Sequence, residues 1–302
     1  MTFFLYKRLT LGLVACWLLT LAVASGFPRC FPTPGRSRES AAAAALLEEA
    51  PITCEGDTPE GLIRNFVSQS KTSLEQFHIH GWRWHTLSLV RESGRLRNLA
   101  SKSTTQDGES LKEAADYVIG FNLRGLHAIE TDLFFPWMKQ SLVSVPDRDL
   151  SSAFETVMNQ LDENRKIVAH LGDSITRSVS LVCDATKSTQ IRSDAIKHVV
   201  EDATALEGCA RSMMELEDSL LVPSVARVVP ESEQKAFNDK VVKKLGLFES
   251  RLHLVGMHEA VQESQNPQEK ALFERDIPYI PQMMIPRWKR KLYEPRTSVF
   301  EQ

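Results

Sequence analysis

Two long stretches place apolar residues at alternating spacings of three and four, and this pattern restricts the chain more than any other. One carries Phe154, Val157, Leu161, Asn164, Val168, Leu171 and Ile175. The other carries Val199, Ala203, Leu206, Ala210, Met213, Glu217 and Leu220. Such spacing returns every marked residue to one face of an α-helix, and a face that long has to be covered by other helices. His78, Trp82, His85, Leu89 and Leu96 mark a further helix over 73–102. Ile119, Leu123, Leu126, Glu130 and Leu133 mark another over 110–143. Pro146-Asp147 breaks the chain before the third helix, with Asp149 or Ser151 as its N-cap, and the fourth begins near Ser193. Four long helices with inward stripes and short joins predict an all-α protein, an up-down-up-down four-helix bundle. A fifth helix starts at Glu231 and ends at Gly246, the first of the extra C-terminal helices. No stretch shows the alternation of a strand.

Two stretches echo each other. Leu126-His127-Ala128-Ile129-Glu130 leads through Thr131-Asp132-Leu133-Phe134-Phe135 to Pro136, and Met213-Met214-Glu215-Leu216-Glu217 leads through Asp218-Ser219-Leu220-Leu221-Val222 to Pro223. In each, an acid stands four residues after an inward apolar residue, so Glu130 and Glu217 share the inward face. A carboxylate there is costly unless it is paired, hydrogen-bonded or bound to a metal. The pair therefore marks an interior site. No other repeat is visible.

A net charge of −3 gives no global argument for nucleic acid. Lys7 and Arg8 precede an apolar run over 9–24, closed by small residues, and this reads as a signal peptide over 1–25 or, uncleaved, as a signal anchor. Membrane contact by an inserted segment is expected only through 9–24, if that segment is uncleaved. Residues 26–57 read as a disordered linker or transit-like segment, with Arg29, Arg36 and Arg38 and no acid before Glu39. Ala24-Ser25-Gly26-Phe27-Pro28 resembles the cleavage motif of bipartite algal plastid presequences. The chain thus enters the secretory pathway, bound either for an algal plastid or for secretion or membrane anchoring. Cys16, Cys30, Cys54, Cys183 and Cys209 are scattered without CxxC spacing. They predict no disulfide framework and no Cys metal site, with Cys209 as a small buried apolar residue.

With Trp84-His85-Thr86-Leu87 on the first helix, Glu130 before Phe134-Phe135-Pro136 on the second and Glu217 before Pro223 on the fourth, residues 76–245 resemble the hemerythrin-like family of cation-binding bundles. The resemblance implies a di-iron centre inside a four-helix bundle and a role in metal or oxygen binding, sensing or storage, without enzymatic turnover. On this pattern His85, Glu130 and Glu217 take ligand places, and His127, three residues before Glu130, can add a fourth. Leu126, Asn164 and Met213 stand where the family has imidazoles. Two readings follow. In one, His85, His127, Glu130 and Glu217 hold Fe or another metal such as Zn. In the other, favoured on the three replacements, the site is reduced or lost and His85 hydrogen-bonds the two carboxylates.

His78 shares the stripe of His85 and offers a second inward imidazole, but the favoured reading is a satisfied, partly buried one. Trp82 and Trp84 read as packing residues, and His170 faces outward. His253 and His258 lack matched spacing to the acids. No phosphate loop or nucleophile elbow is present. The bundle spans 58–245, and 246–302 forms a C-terminal helical extension with a basic-aromatic tail. Arg287-Trp288-Lys289-Arg290-Lys291-Leu292-Tyr293 serves either as a strap over the bundle or as a contact for an unknown protein partner or a lipid headgroup surface.

Overall fold

The computed structural model describes residues 58–69 and 76–301. The presequence, the linker and residues 73–75 of the helix expected from Ser73 lie outside the described residues. Among the described residues the protein is all-helical, with no strand. Helix α1 is Pro59–Ser68, α2 Gly81–Lys102 and α3 Gly108–Ala115. A π-helical segment, Asp116–Leu123, leads into α4 (Arg124–Ile129). A π turn, Glu130–Phe134, then leads into α5 (Phe135–Leu142). Helix α6 is Arg148–Cys183 and α7 Thr189–Leu216, followed by a π turn, Glu217–Leu221, and α8 (Val222–Val228). Helix α9 is Glu231–Glu263, α10 Pro267–Asp276 and α11 Tyr279–Trp288. A third π turn, Lys289–Tyr293, joins α11 to α12 (Glu294–Thr297).

Four segments close on one another. Helix α7 packs along both α2 and α6, α3 packs on α6, and the segment Asp116–Leu123 returns to α2. Helix α1 covers α6, and α9 lies over α2 and α4. All seven marked residues of the 199–220 stripe are buried. In α6 six of seven are, with Leu171 half-buried.

The sequence-derived boundaries shift at several places. The first long helix begins at Gly81, not at Ser73. The described residues before it are irregular because two side chains of α9 take over their backbone groups. His78 N–H donates to Gln234 Oε1 at 2.9 Å, and Asn238 Nδ2 donates to the His78 carbonyl at 2.8 Å. The third helix is capped by Asp147, whose carboxylate accepts from Asp149 and Leu150 N–H, so Asp149 and Ser151 lie inside it. The fourth begins at Thr189, capped by Ser188. Gly246 does interrupt α9, with φ +74° and ψ 160°, a region open essentially to glycine alone. The chain then resumes as helix to Glu263, the first part of the helical extension expected from 246.

Both Glu-to-Pro stretches are π turns, and the structure adds a third echo at Lys289, six residues before Pro295. In each, the residue just before the proline donates its N–H to the carbonyl five residues back: Phe135 to Glu130, Val222 to Glu217, Glu294 to Lys289. A helical proline has no N–H for the i−4 carbonyl, and its ring clashes with that carbonyl. Widening the turn relieves the clash. The extra residue also rotates the helix. After Glu130 the fully buried position passes from Leu133, which is half-buried, to Phe134. Asp116–Leu123 is π as well, and no proline accounts for it.

Cys209 is disulfide-bonded and Cys183 is free. This corrects the expectation of no disulfide framework. Pairing depends on the distance between cysteines in the fold, which spacing along the chain does not report.

Candidate functional site

The interior of the helix cluster holds an unusual number of polar groups. His85 on α2, Glu130 and Glu217 on their π turns and Asn164 on α6 are all at most 2% exposed. Leu126 and Met213 are fully buried as well. The stripe explains why: each of these residues lies at a helical repeat of a large apolar neighbour, so packing carries it inward with the rest of its face.

His85 hydrogen-bonds Asn122, whose Nδ2 donates to Ser88 Oγ at 3.2 Å. Burial, only partly offset by Asn122, lowers the His85 pKa to about 4. His127 turns toward the interior, with Nε2 3.9 Å from Glu130 Oε2. Burial first, then the charges of Arg165 and His85, bring its pKa to about 3. Both imidazoles are therefore neutral at physiological pH, and they lie close enough to repel if charged.

A third histidine joins them. His253 on α9 stands with its ring centroid 4.5 Å from that of His85 and stacks on Phe121 at 4.1 Å, nearly parallel. It is 3% exposed, and burial, then His85, hold its pKa well below the ordinary value. The Nε2 atoms of His85, His127 and His253 are all buried with no hydrogen-bond partner. Sequence reasoning set His253 aside for want of spacing to the acids. The usable signal lay in its own helix, where His253, Met257 and Val261 repeat every four residues, as Met213 and Glu217 do. Asn122 was missed too, one turn before Leu126 on the stripe that carries Glu130.

His253 fits only because residue 125 is glycine. A Cβ there would lie 2.5 Å from both Cε1 and Nε2 of His253. Gly→Ala inside a helix normally stabilises by about 1 kcal/mol. Here Gly125→Ala meets a ring wedged between Phe121 and His85, and overpacking of this kind costs roughly 1–3 kcal/mol. The expected result is a net loss in thermal denaturation, reversed in sign when His253→Ala is added. A stabilised Gly125→Ala single variant would show that the ring does not occupy this place.

The other candidates lie elsewhere. His78 is partly exposed and stands 3.6 Å from Glu231, so it is no second inward imidazole. His80 stacks on Trp84 and lies 3.3 Å from Asp276. Trp84 packs on Phe273 and donates to Glu269 at 2.9 Å. His170 is exposed. Among the described residues, no group of three or more His, Cys, Asp or Glu side chains stands close enough together to hold a metal ion. Compared with protein-family models, curated proteins and solved structures, the chain gives no match.

Proposed function

We propose that the chain is a hemerythrin-like, up-down-up-down four-helix bundle of α2, the 108–142 segment, α6 and α7–α8, and that it is a non-enzymatic protein whose binuclear metal site is lost. The observation that carries this reading is the packing of the three replaced positions. Leu126 and Met213 are fully buried and Asn164 is 1% exposed, so apolar and amide side chains fill the volume that ligands would need. A binuclear centre in such a bundle takes carboxylates and imidazoles from facing helices, and three of those imidazoles are gone. The bundle then serves as an interaction module in an oxidising compartment. The disulfide at Cys209 supports that compartment, to which a signal peptide over 1–25 would direct the chain.

One observation favours a second reading, a single metal ion. Neutral imidazoles with open Nε2 atoms are good ligands for iron or zinc; His127 carries one 3.9 Å from Glu130, and His85 and His253 carry two more against each other. Glu217 would complete the set from the facing helix. Reconstitution of the purified chain with Fe(II) or Zn(II), followed by metal analysis, decides between the two. The lost-site reading expects less than about a tenth of an equivalent, where a working site holds about one ion per chain. About one equivalent, abolished in His85→Ala and in His253→Ala, would overturn it.

A further inference from the structure

We infer that the outward face of α11 and the π turn after it binds the surface of an anionic lipid bilayer. Helix α11 is pinned on one side, where Pro281 and Ile285 are buried and Trp288 and Leu292 half-buried. Its other side is unusual. Tyr279 is 73% exposed, Ile280 51% and Met283 61%, three of the most exposed large apolar side chains in the described chain. One to two turns later on the same side come Arg287, Arg290 and Lys291, all exposed and, among the described residues, in no ion pair. At 100° per residue Tyr279, Ile280, Met283 and Arg287 fall within an arc of about 100° on α11, and Arg290 and Lys291 are exposed on the π turn that follows. Phe248, 76% exposed, lines a groove with Lys291 and Arg296 beside the basic half.

Large apolar side chains in water next to unpaired cations fit a surface that offers an apolar layer under anionic headgroups. A protein groove fits less well. A helix read by a groove presents apolar anchors through i+7, whereas here the apolar positions stop after one turn and Arg287 follows. The buried side of the segment is firmly held. Tyr293 Oη donates to Glu92 at 2.6 Å, and Lys289 pairs with Glu259 at 2.6 Å. The exposed arc is therefore presented on a fixed support, with no ordering of a free tail required.

Flotation of the full chain with vesicles of phosphatidylcholine alone or mixed with phosphatidylserine tests this. The apolar run at 9–24 partitions into both kinds, so selectivity for phosphatidylserine is the readout. The expected result is salt-sensitive preference for the mixed vesicles, weakened roughly a hundredfold in Arg287→Ala/Arg290→Ala/Lys291→Ala at about fivefold per cation. It should be retained in Arg287→Lys/Arg290→Lys and weakened in Tyr279→Ser/Ile280→Ser/Met283→Ser. Equal capture by both vesicles in the parent chain and the alanine variant overturns the proposal. Capture on immobilised polyglutamate without preference for phosphatidylserine also overturns it, in favour of an acidic polypeptide.

Discussion

Acidification from pH 7 to pH 5 will lower the stability of the metal-free chain by several kcal/mol through its buried histidines. His85, His127 and His253 are neutral in the fold, with pKa values of about 4, about 3 and well below 6.5, and burial is the first cause in each. An unfolded histidine titrates near 6.5. Above that pH neither state is protonated and these groups contribute no pH dependence. As the pH falls below 6.5, the unfolded chain binds protons that the folded chain refuses, so stability falls until the folded pKa is reached. At pH 5 His85 and His127 have each cost about 2 kcal/mol, and His253 acts in the same direction. A typical fold holds only about 5–15 kcal/mol. Glu259 behaves in the opposite sense. Its carboxyl is lowered to about 2 by His258 and Lys289 against burial, so its contribution is present above about 4.5 and lost only as the pH falls toward 2. Between pH 6.5 and about 4.5 the histidines act and Glu259 does not. Urea midpoints measured between pH 7 and 4.5 are expected to fall steeply below 6.5, and His253→Gln should remove about one proton from the slope. Equal midpoints at pH 7 and pH 5 would mean that the three rings are not buried together.

Removal of the Glu92 carboxylate is expected to loosen the whole C-terminal strap. Glu92 is fully buried. It accepts from Arg91 Nη1 at 2.5 Å, from Arg95 Nη1 at 3.1 Å and from Tyr293 Oη at 2.6 Å. Burial and the Glu92 charge hold the Tyr293 phenol well above its usual pKa, so it remains a donor. In Glu92→Ala two guanidiniums face each other in a largely dry site. Breaking a buried pair costs about 3–5 kcal/mol. The low end applies here, because Arg91 also reaches Glu263 and Arg95 reaches Glu301 at 2.7 Å. At about 2–4 °C per kcal/mol for a chain of this size, the melting temperature should drop by roughly 6–12 °C. Limited trypsin digestion should open first at Arg287 and Arg290. Tyr293→Phe removes the phenol's hydrogen bonds to Glu92, Arg91 and Arg95 but leaves the carboxylate between its two guanidiniums, and should cost about 1.5–3 kcal/mol. An unchanged melting temperature in Glu92→Ala would show that the strap is held by its apolar contacts alone.

The tail thus has two sides with different roles. Sequence reading offered a strap and a contact surface as alternatives, and the structure places the strap function in Tyr293, Lys289 and the half-buried Trp288. Arg287, Arg290 and Lys291 face outward from the same segment. Which residue faced which way was not legible in 287–293, because a π turn lies across it. The widened turn breaks the 3.6-residue count that any helical reading assumes. Leu133 was misplaced for the same reason at Pro136, although the proline that causes the shift was in plain view.

What the sequence determined by itself was everything that depends on helical repeat. The stripes of α6 and α7, the burial of His85, Glu130, Glu217, Asn164, Leu126 and Met213, and the all-helical class follow from spacings of three and four. Those spacings act within a few turns of one helix and are read off the chain directly. What only the tertiary structure decided was which buried groups meet. His253 reaches His85 from 168 positions away because α9 lies over α2 and Gly125 leaves room for its ring. Tyr293 reaches Glu92 across 201 positions, and Cys209 finds a disulfide partner. Such meetings depend on how whole helices pack. No local periodicity encodes that, since the same stripe can be buried against several different neighbours.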